Sequence, residues 1–130
     1  MVSLTDVAGD VLRVFLGGMF LWYGYFDVRP SEARKAEFRR WGFGPAVQPI
    51  GGVLQLASVA LLVLPATVAY GALLLFVMMV FSVYVHLARE FRPRLVPWPV
   101  VLAALTLVTA YLYGAEAVGP VGEAFRAWIG

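Results

Sequence analysis

The sequence of 130 residues contains no cysteine. Within this chain, that excludes a thiol–disulfide relay, a covalently attached c-type haem and an iron–sulfur cluster held by thiolates. Histidine is almost as scarce, because His86 is the single copy. One histidine cannot supply both axial ligands of a bis-histidine haem. Without further His or Cys ligands, we expect no metal site.

Charged residues are also few, at 14% of the chain, whereas hydrophobic residues make up 62%. A soluble domain of this size usually has about 25% charged and about 45–50% apolar residues. The chain therefore has too few polar side chains to cover its surface in water. The composition predicts a membrane protein in contact with the lipid bilayer, and we expect no nucleic acid as a partner.

Four long apolar segments are separated by short connections, and a helix needs about 20 residues to cross a hydrocarbon core of about 30 Å. The pattern predicts an all-α fold: an integral membrane four-helix bundle in one domain, with spans at about 7–27, 46–64, 67–87 and 96–114. The rival interpretation, core helices of a soluble bundle, is not favoured by so little polar sequence between the segments. The start, "MVSLTDVAGD", has no basic region, so we expect the first span to be retained.

Two connections carry local signals. Pro65 and Thr67, in "PAT" between the second and third spans, predict a tight helical hairpin in which Thr67 caps the third span. Between the first and second spans, Ser31 is a candidate N-cap and Gly42 a candidate stop. Apolar residues lie among charges there, which predicts a short interfacial helix at about 31–41.

Basic residues are unevenly distributed along the chain. Eight of the ten lie in the first and third connections: Arg29, Arg34, Lys35, Arg39, Arg40, Arg89, Arg92 and Arg94. Arg13 and Arg126 fall on the opposite side of a four-span protein. Because loops rich in Lys and Arg stay in the cytoplasm, the pattern predicts cytoplasmic basic loops and two extracytoplasmic termini. The interfacial helix would present a basic docking surface formed by Arg34, Lys35, Arg39 and Arg40.

Polar side chains within a span are candidate functional residues, because an unsatisfied polar group there costs several kcal/mol. Depth and helical spacing suggest one ligand-binding pocket that opens to the cytoplasmic leaflet and is lined by Tyr23, Asp27, Gln55, Tyr84 and His86. A carboxylate beside an imidazole can relay protons, so Asp27 with His86 suits a quinone head group. The alternative is that both are ordinary polar residues at span ends, and that Gln55 joins two helices.

Two further features concern helix contacts. Gln48, Gly51, Gly52 and Gln55 form one stripe of the second span, where the glycines let a neighbouring helix or a ligand come close. Arg13 lies three residues after Asp10, so the two can pair on one helix face, with the arginine stem reaching towards the outer surface. The alternative role for Arg13 is a counter-charge that faces the bundle interior, towards Glu116.

Several segments together resemble one family. They are "LRVFLGGMFLWYGYFD" in the first span, "WGFGP" at the end of the first loop, "IGGVLQLASVALLVLP" in the second span, and a histidine that closes the third. Over roughly residues 12–114 the chain resembles the DoxX-like family of small four-span bacterial membrane proteins. The resemblance implies a four-helix bundle in the bacterial inner membrane. Some members are linked to quinone-coupled sulfur oxidation or to membrane oxidoreductase complexes.

The match to the family pattern is incomplete at two polar positions. The residues that follow the pattern are Arg13, Gly17, Gly24, Gly52 and His86. Asp27 stands where members commonly have Lys, and Gln55 where they commonly have Glu. The exchange of a base and an acid weakens the transfer of a catalytic role to this chain.

Two functions follow from these patterns. The first is a small accessory or structural subunit, not catalytic on its own, that packs beside other membrane subunits of a larger redox or energy-converting complex or beside a second copy of itself. The second is a quinone- or lipid-binding oxidoreductase subunit that uses the Asp27 and His86 pocket. A small transporter is not favoured, because the four spans lack broken helices and inverted halves.

Overall fold

The computed structural model describes the backbone of residues 3–89 and 92–129, and the side chains of these residues except 115–126 and 129. Within these ranges every regular element is helical, which confirms the all-α prediction. The α-helices are α1 (Leu4–Val28), α2 (Glu32–Arg40), α3 (Val47–Leu61), α4 (Val68–Tyr84) and α5 (Pro97–Ile129). A π-helical turn, Val85–Arg89, continues α4, and a 3-10 turn, Pro93–Leu95, precedes α5.

The four longer helices pack in a ring. α1 packs mainly on α3, and α4 mainly on α5, while smaller contacts between α3 and α4 and between α1 and α5 close the ring. The bundle has two ends. We name them the hairpin end, which holds the α3–α4 turn, and the α2 end, which holds α2. The buried apolar core consists of Leu16, Phe20, Leu62, Val68, Ala72, Leu75 and Leu102.

Much of the apolar surface faces outwards. Two stretches, Val68–Arg89 and Pro93–Gly114, are long and apolar enough to cross a membrane. In the most apolar 18-residue part of each stretch, only 33% of the first and 22% of the second is buried inside the protein. A helix in the core of a soluble protein would be buried all round. α3 is a shorter apolar helix of 15 residues, about 22 Å long.

The hairpin between α3 and α4 differs from its predicted form. α3 ends at Leu61, three residues before the predicted end at 64, and Pro65 disfavours the helical conformation at Leu64. Thr67 holds the N-cap position of α4, as predicted, but its Oγ1 makes no cap bond to α4 and instead donates to Leu61 O at 2.7 Å. Thr67 therefore fastens the turn to the end of α3.

α2 has the two boundaries that its sequence predicts. Ser31 Oγ accepts a hydrogen bond from Arg34 N at 3.3 Å, as an N-cap does. At the other boundary Gly42 has a φ of 87°. Its N–H donates to Arg39 O at 3.0 Å, and Phe43 N–H donates to Phe38 O at 3.1 Å. This pair of hydrogen bonds is a Schellman motif. The residue with left-handed backbone conformation in such a motif is usually glycine.

The fourth predicted span ends at 114, whereas the helical backbone of α5 continues to Ile129. Glycine in a helix costs only roughly 0.5–1 kcal/mol relative to alanine. Gly114 alone is therefore a weak stop signal, and the helix runs through it.

Candidate functional site

A buried carboxylate lies at the α2 end of the bundle. Asp27, one residue before the end of α1, is only 7% exposed. Its Oδ1 accepts hydrogen bonds from Arg34 Nη2 (2.6 Å) and Gln48 Nε2 (3.2 Å), and its Oδ2 accepts one from Gln55 Nε2 (2.7 Å). Burial of a charge is costly unless the charge is paired and hydrogen-bonded, and here both oxygens are engaged. We name these four residues the Asp27 cluster.

Two glycines bring α1 and α3 close enough for these bonds. Gly52 faces α1 so closely that a Cβ built on it would lie 2.7 Å from Val28 N. Gly24 faces α3, and a Cβ there would lie 2.9 Å from Leu56 Cδ2. Small residues at a helix interface allow the two backbones to approach. The approach places the amide side chains of α3 beside the Asp27 carboxylate.

The polar stripe of α3 has three of its four predicted members at this interface. Gln48, Gly52 and Gln55 are all buried, and their spacing of four and three residues puts them on one helix face. Gly51 differs, since no atom of the described chain lies within 4 Å of a Cβ built on it. No helix of the described chain therefore approaches Gly51 closely, and the other predicted role, the approach of a ligand, stays a prediction.

Arg34 reaches the cluster from α2. The charge pattern predicts it as part of a basic surface, but its side chain is 43% exposed and its guanidinium turns towards Asp27. The other basic residues of this helix, Lys35, Arg39 and Arg40, are exposed. Lys35 Nζ lies 3.2 Å from Glu32 Oε1 in a surface ion pair. Arg34 is thus the basic residue that ties α2 to the end of α1.

Two buried atoms of the cluster have no hydrogen-bond partner among the described residues. They are the Oε1 oxygen of Gln55 and the Nε nitrogen of Arg34. A buried polar group without a partner costs roughly 1–3 kcal/mol. One free acceptor and one free donor are therefore available there for water or for a hydroxyl-bearing molecule.

The remaining residues of the predicted pocket lie in other local contacts. Tyr23 Oη accepts from Trp98 Nε1 at 3.4 Å, and Tyr84 Oη accepts from Arg89 Nε at 3.3 Å. His86 is half-buried on the π-helical turn that follows α4. The structure thus joins Asp27 with Gln55 directly, whereas a common pocket that also includes Tyr23, Tyr84 and His86 stays a prediction.

An aromatic group that the sequence pattern does not single out holds the α2–α3 connection against α4. The guanidinium of Arg89 lies over the rings of Phe43 (5.5 Å) and Tyr84 (6.0 Å), and its Nη1 donates to Trp41 O at 3.2 Å. Phe43 also contacts Phe81, with ring centroids 5.5 Å apart. In the sequence, the feature that could have indicated this contact is the helix stop at Gly42. Its Schellman motif turns the next residue, Phe43, back towards the bundle.

The hairpin end carries a second polar group. Arg13 Nε donates to Leu62 O at 2.9 Å, and its Nη2 donates to Val63 O. A cation at the end of a helix stabilises its unpaired carbonyl groups. Arg13 Nη1 lies 3.4 Å from Asp10 Oδ1, its guanidinium lies 5.4 Å from the centre of the Tyr113 ring, and Tyr113 Oη donates to Asp10 at 3.2 Å.

The spacing of Asp10 and Arg13 therefore correctly indicates their pairing. The bonds from Arg13 to the end of α3 have no signal in the sequence, because backbone carbonyls are present at every position. Glu116, the predicted alternative partner, lies outside the described side chains.

Among the described residues, the regular elements are all helical, apolar surfaces face outwards and glycines lie at the helix interfaces, which are features of a small helical membrane protein. The sequence model of the DoxX-like family matches residues 11–109, which is about three quarters of the chain. The chain belongs to the DoxX-like family, as the sequence resemblance predicts. No curated protein and no solved structure matches the chain.

Proposed function

We propose that the chain is a four-span protein of the bacterial inner membrane that serves as an accessory, non-catalytic subunit of a larger redox or energy-converting membrane complex. The state of Asp27 carries this proposal. Both of its oxygens accept hydrogen bonds from side chains of the same protein. A carboxylate held in this way acts as a structural anchor between α1, α2 and α3, and it is poorly placed to take a proton from a substrate.

The distribution of positive charge supports an orientation. Arg89 donates to the backbone of Trp41, so the two basic connections meet at the α2 end. The hairpin end has Arg13, whose charge is paired with Asp10. Since basic connections stay in the cytoplasm, the α2 end would face the cytoplasm and the hairpin would face the opposite side.

Cysteine labelling tests this orientation, and the absence of native cysteine provides a clean background. The exposed positions Glu32, on α2, and Ala66, in the hairpin, are each replaced by cysteine. We expect a membrane-impermeant maleimide to label Ala66→Cys in intact spheroplasts, and Glu32→Cys only after lysis. Labelling of both positions from the same side would contradict the crossing of α3 and therefore the four-span arrangement.

Co-purification tests the accessory role. The native membrane is extracted in mild detergent, and mass spectrometry identifies the proteins and small molecules that remain bound. We expect a larger membrane protein in stoichiometric amount. Tryptophan is then placed at an outward-facing valine on each of three helices: Val53 on α3, Val77 on α4 and Val101 on α5. A bulky apolar side chain keeps the protein in the membrane, and we expect at least one variant to lose the partner.

The matched control is His86→Ala, which we expect to retain the partner. Recovery of the chain alone, with unchanged behaviour of all three tryptophan variants, would contradict an accessory role. The second candidate function is quinone or lipid binding near the Asp27 cluster, and the unpaired Gln55 Oε1 favours it. A quinol hydroxyl could donate to that oxygen. This function predicts a quinone in the same extract that disappears in Gln55→Leu.

A further inference from the structure

A cleft runs between α1 and the end of α3 at the hairpin end, away from the Asp27 cluster. Its volume is about 360 Å³, and its lining residues are Asp10, Arg13, Val14, Gly17, Val59, Leu62 and Val63. Five of the seven are apolar or glycine. Val14 is 77% and Val63 65% exposed, so the walls open to the surroundings of the bundle. In a membrane, those surroundings are lipid chains.

The polar head of the cleft contains charges of both signs. The guanidinium of Arg13 has five N–H donors. Its bonds to Leu62, Val63 and Asp10 use three of them, which leaves two for a further acceptor. The Asp10 side chain is 67% exposed, so its carboxylate can accept from a ligand while it keeps Arg13 and Tyr113. A ligand can thus bind Arg13 through an anionic group that accepts hydrogen bonds and Asp10 through a neighbouring cationic group that donates them.

We infer that this cleft binds one phospholipid with a zwitterionic head group that carries a primary ammonium. The phosphate would accept from Arg13, the ammonium would donate to Asp10, and one acyl chain would lie along Val14, Gly17 and Val59. An anionic head group without an ammonium would meet the repulsion of Asp10. A trimethylammonium group has no N–H to donate to the carboxylate. Both should therefore bind less tightly.

Native mass spectrometry of the detergent-purified, delipidated protein tests the inference. Phosphatidylethanolamine, phosphatidylcholine and phosphatidylglycerol with identical acyl chains are titrated separately. We expect phosphatidylethanolamine to bind about tenfold more tightly than either of the others, the effect of one charge-assisted hydrogen bond. Asp10→Asn should abolish the preference over phosphatidylcholine, because the asparagine oxygen still accepts from Arg13 and Tyr113 but no longer attracts the ammonium.

Two neighbouring glycines provide a matched pair of variants. A Cβ on Gly17 or on Gly18 meets no described atom within 4 Å, so neither leucine clashes at its Cβ, but Gly17 lines the cleft and its leucine would extend into it. We expect Gly17→Leu to abolish lipid binding and Gly18→Leu to retain it. Equal affinity for the three lipids, or an equal effect of the two leucines, would overturn the inference.

The inference rests on the proposed placement in a membrane, but its test is separate. Bound lipid is counted on purified protein, whereas orientation is read from maleimide labelling and the accessory role from co-purified protein. If the labelling contradicts the expected orientation, but phosphatidylethanolamine binds selectively and is lost in Gly17→Leu, only the proposed function is refuted. A missing lipid preference with the expected labelling would refute the cleft assignment alone.

Discussion

Asp27→Ala is expected to lower the free energy of unfolding by about 2–4 kcal/mol, because two buried amide donors lose their acceptor and each costs about 1–3 kcal/mol. The donors are Gln48 Nε2 and Gln55 Nε2. The third partner, Arg34, has a side chain that is 43% exposed and can turn to water, so it adds less. Unfolding in mixed detergent micelles, followed by tryptophan fluorescence, measures the change.

The control for this substitution is Glu32→Gln. Glu32 belongs to an exposed ion pair with Lys35, and such pairs contribute about 0–1 kcal/mol. The cause is tested by a triple variant, in which Gln48→Leu and Gln55→Leu are added to Asp27→Ala. Replacement of the carboxylate and of both buried amides by apolar groups leaves no orphaned amide donor, and Arg34 can turn to water, so the triple variant should be more stable than Asp27→Ala. A triple variant of lower stability would show that the orphaned donors are not the source of the loss.

The cluster illustrates which part of a site can be predicted from sequence. Helical periodicity places Gln48, Gly52 and Gln55 on one face, and polar residues at membrane depth must find partners, so the inward face of α3 follows from the pattern, whereas its contact with α1 does not. The pairing of Asp27 with Arg34, and not with another arginine, does not follow from the pattern. It depends on the direction in which the chain leaves α1, and several arginines of the same segment have similar reach.

The helix boundaries and turns elsewhere in the fold also divide into those that the sequence predicts and those that it does not. Boundaries set by local chemistry, such as Ser31 and Gly42, are readable because caps and positive φ select particular residues. The role of Thr67 is not readable, since a hydroxyl can cap the next helix or bond back to the previous one. The π-helical turn with His86 also escapes the pattern, because its i→i+5 bonds depend on the packing at the end of α4.

Gly52→Ala is expected to lower the free energy of unfolding by about 2–3 kcal/mol, the upper part of the range for an overpacked interface. The new Cβ would lie 2.7 Å from Val28 N and 2.9 Å from Asp27 C. Both contacts are backbone atoms, so no change of rotamer can relieve them, and α1 and α3 must separate. The same unfolding assay in mixed micelles measures the loss.

The adjacent glycine gives the matched control. A Cβ on Gly51 meets no described atom within 4 Å, so Gly51→Ala should raise stability by about 0.5–1 kcal/mol, the helix preference of alanine over glycine. Equal effects of the two alanines would contradict the close approach. Separation of the helices would also lengthen the bonds from Gln48 and Gln55 to Asp27. The losses from Gly52→Ala and Asp27→Ala should therefore be less than additive in a double-mutant cycle, because each substitution removes part of the same set of hydrogen bonds.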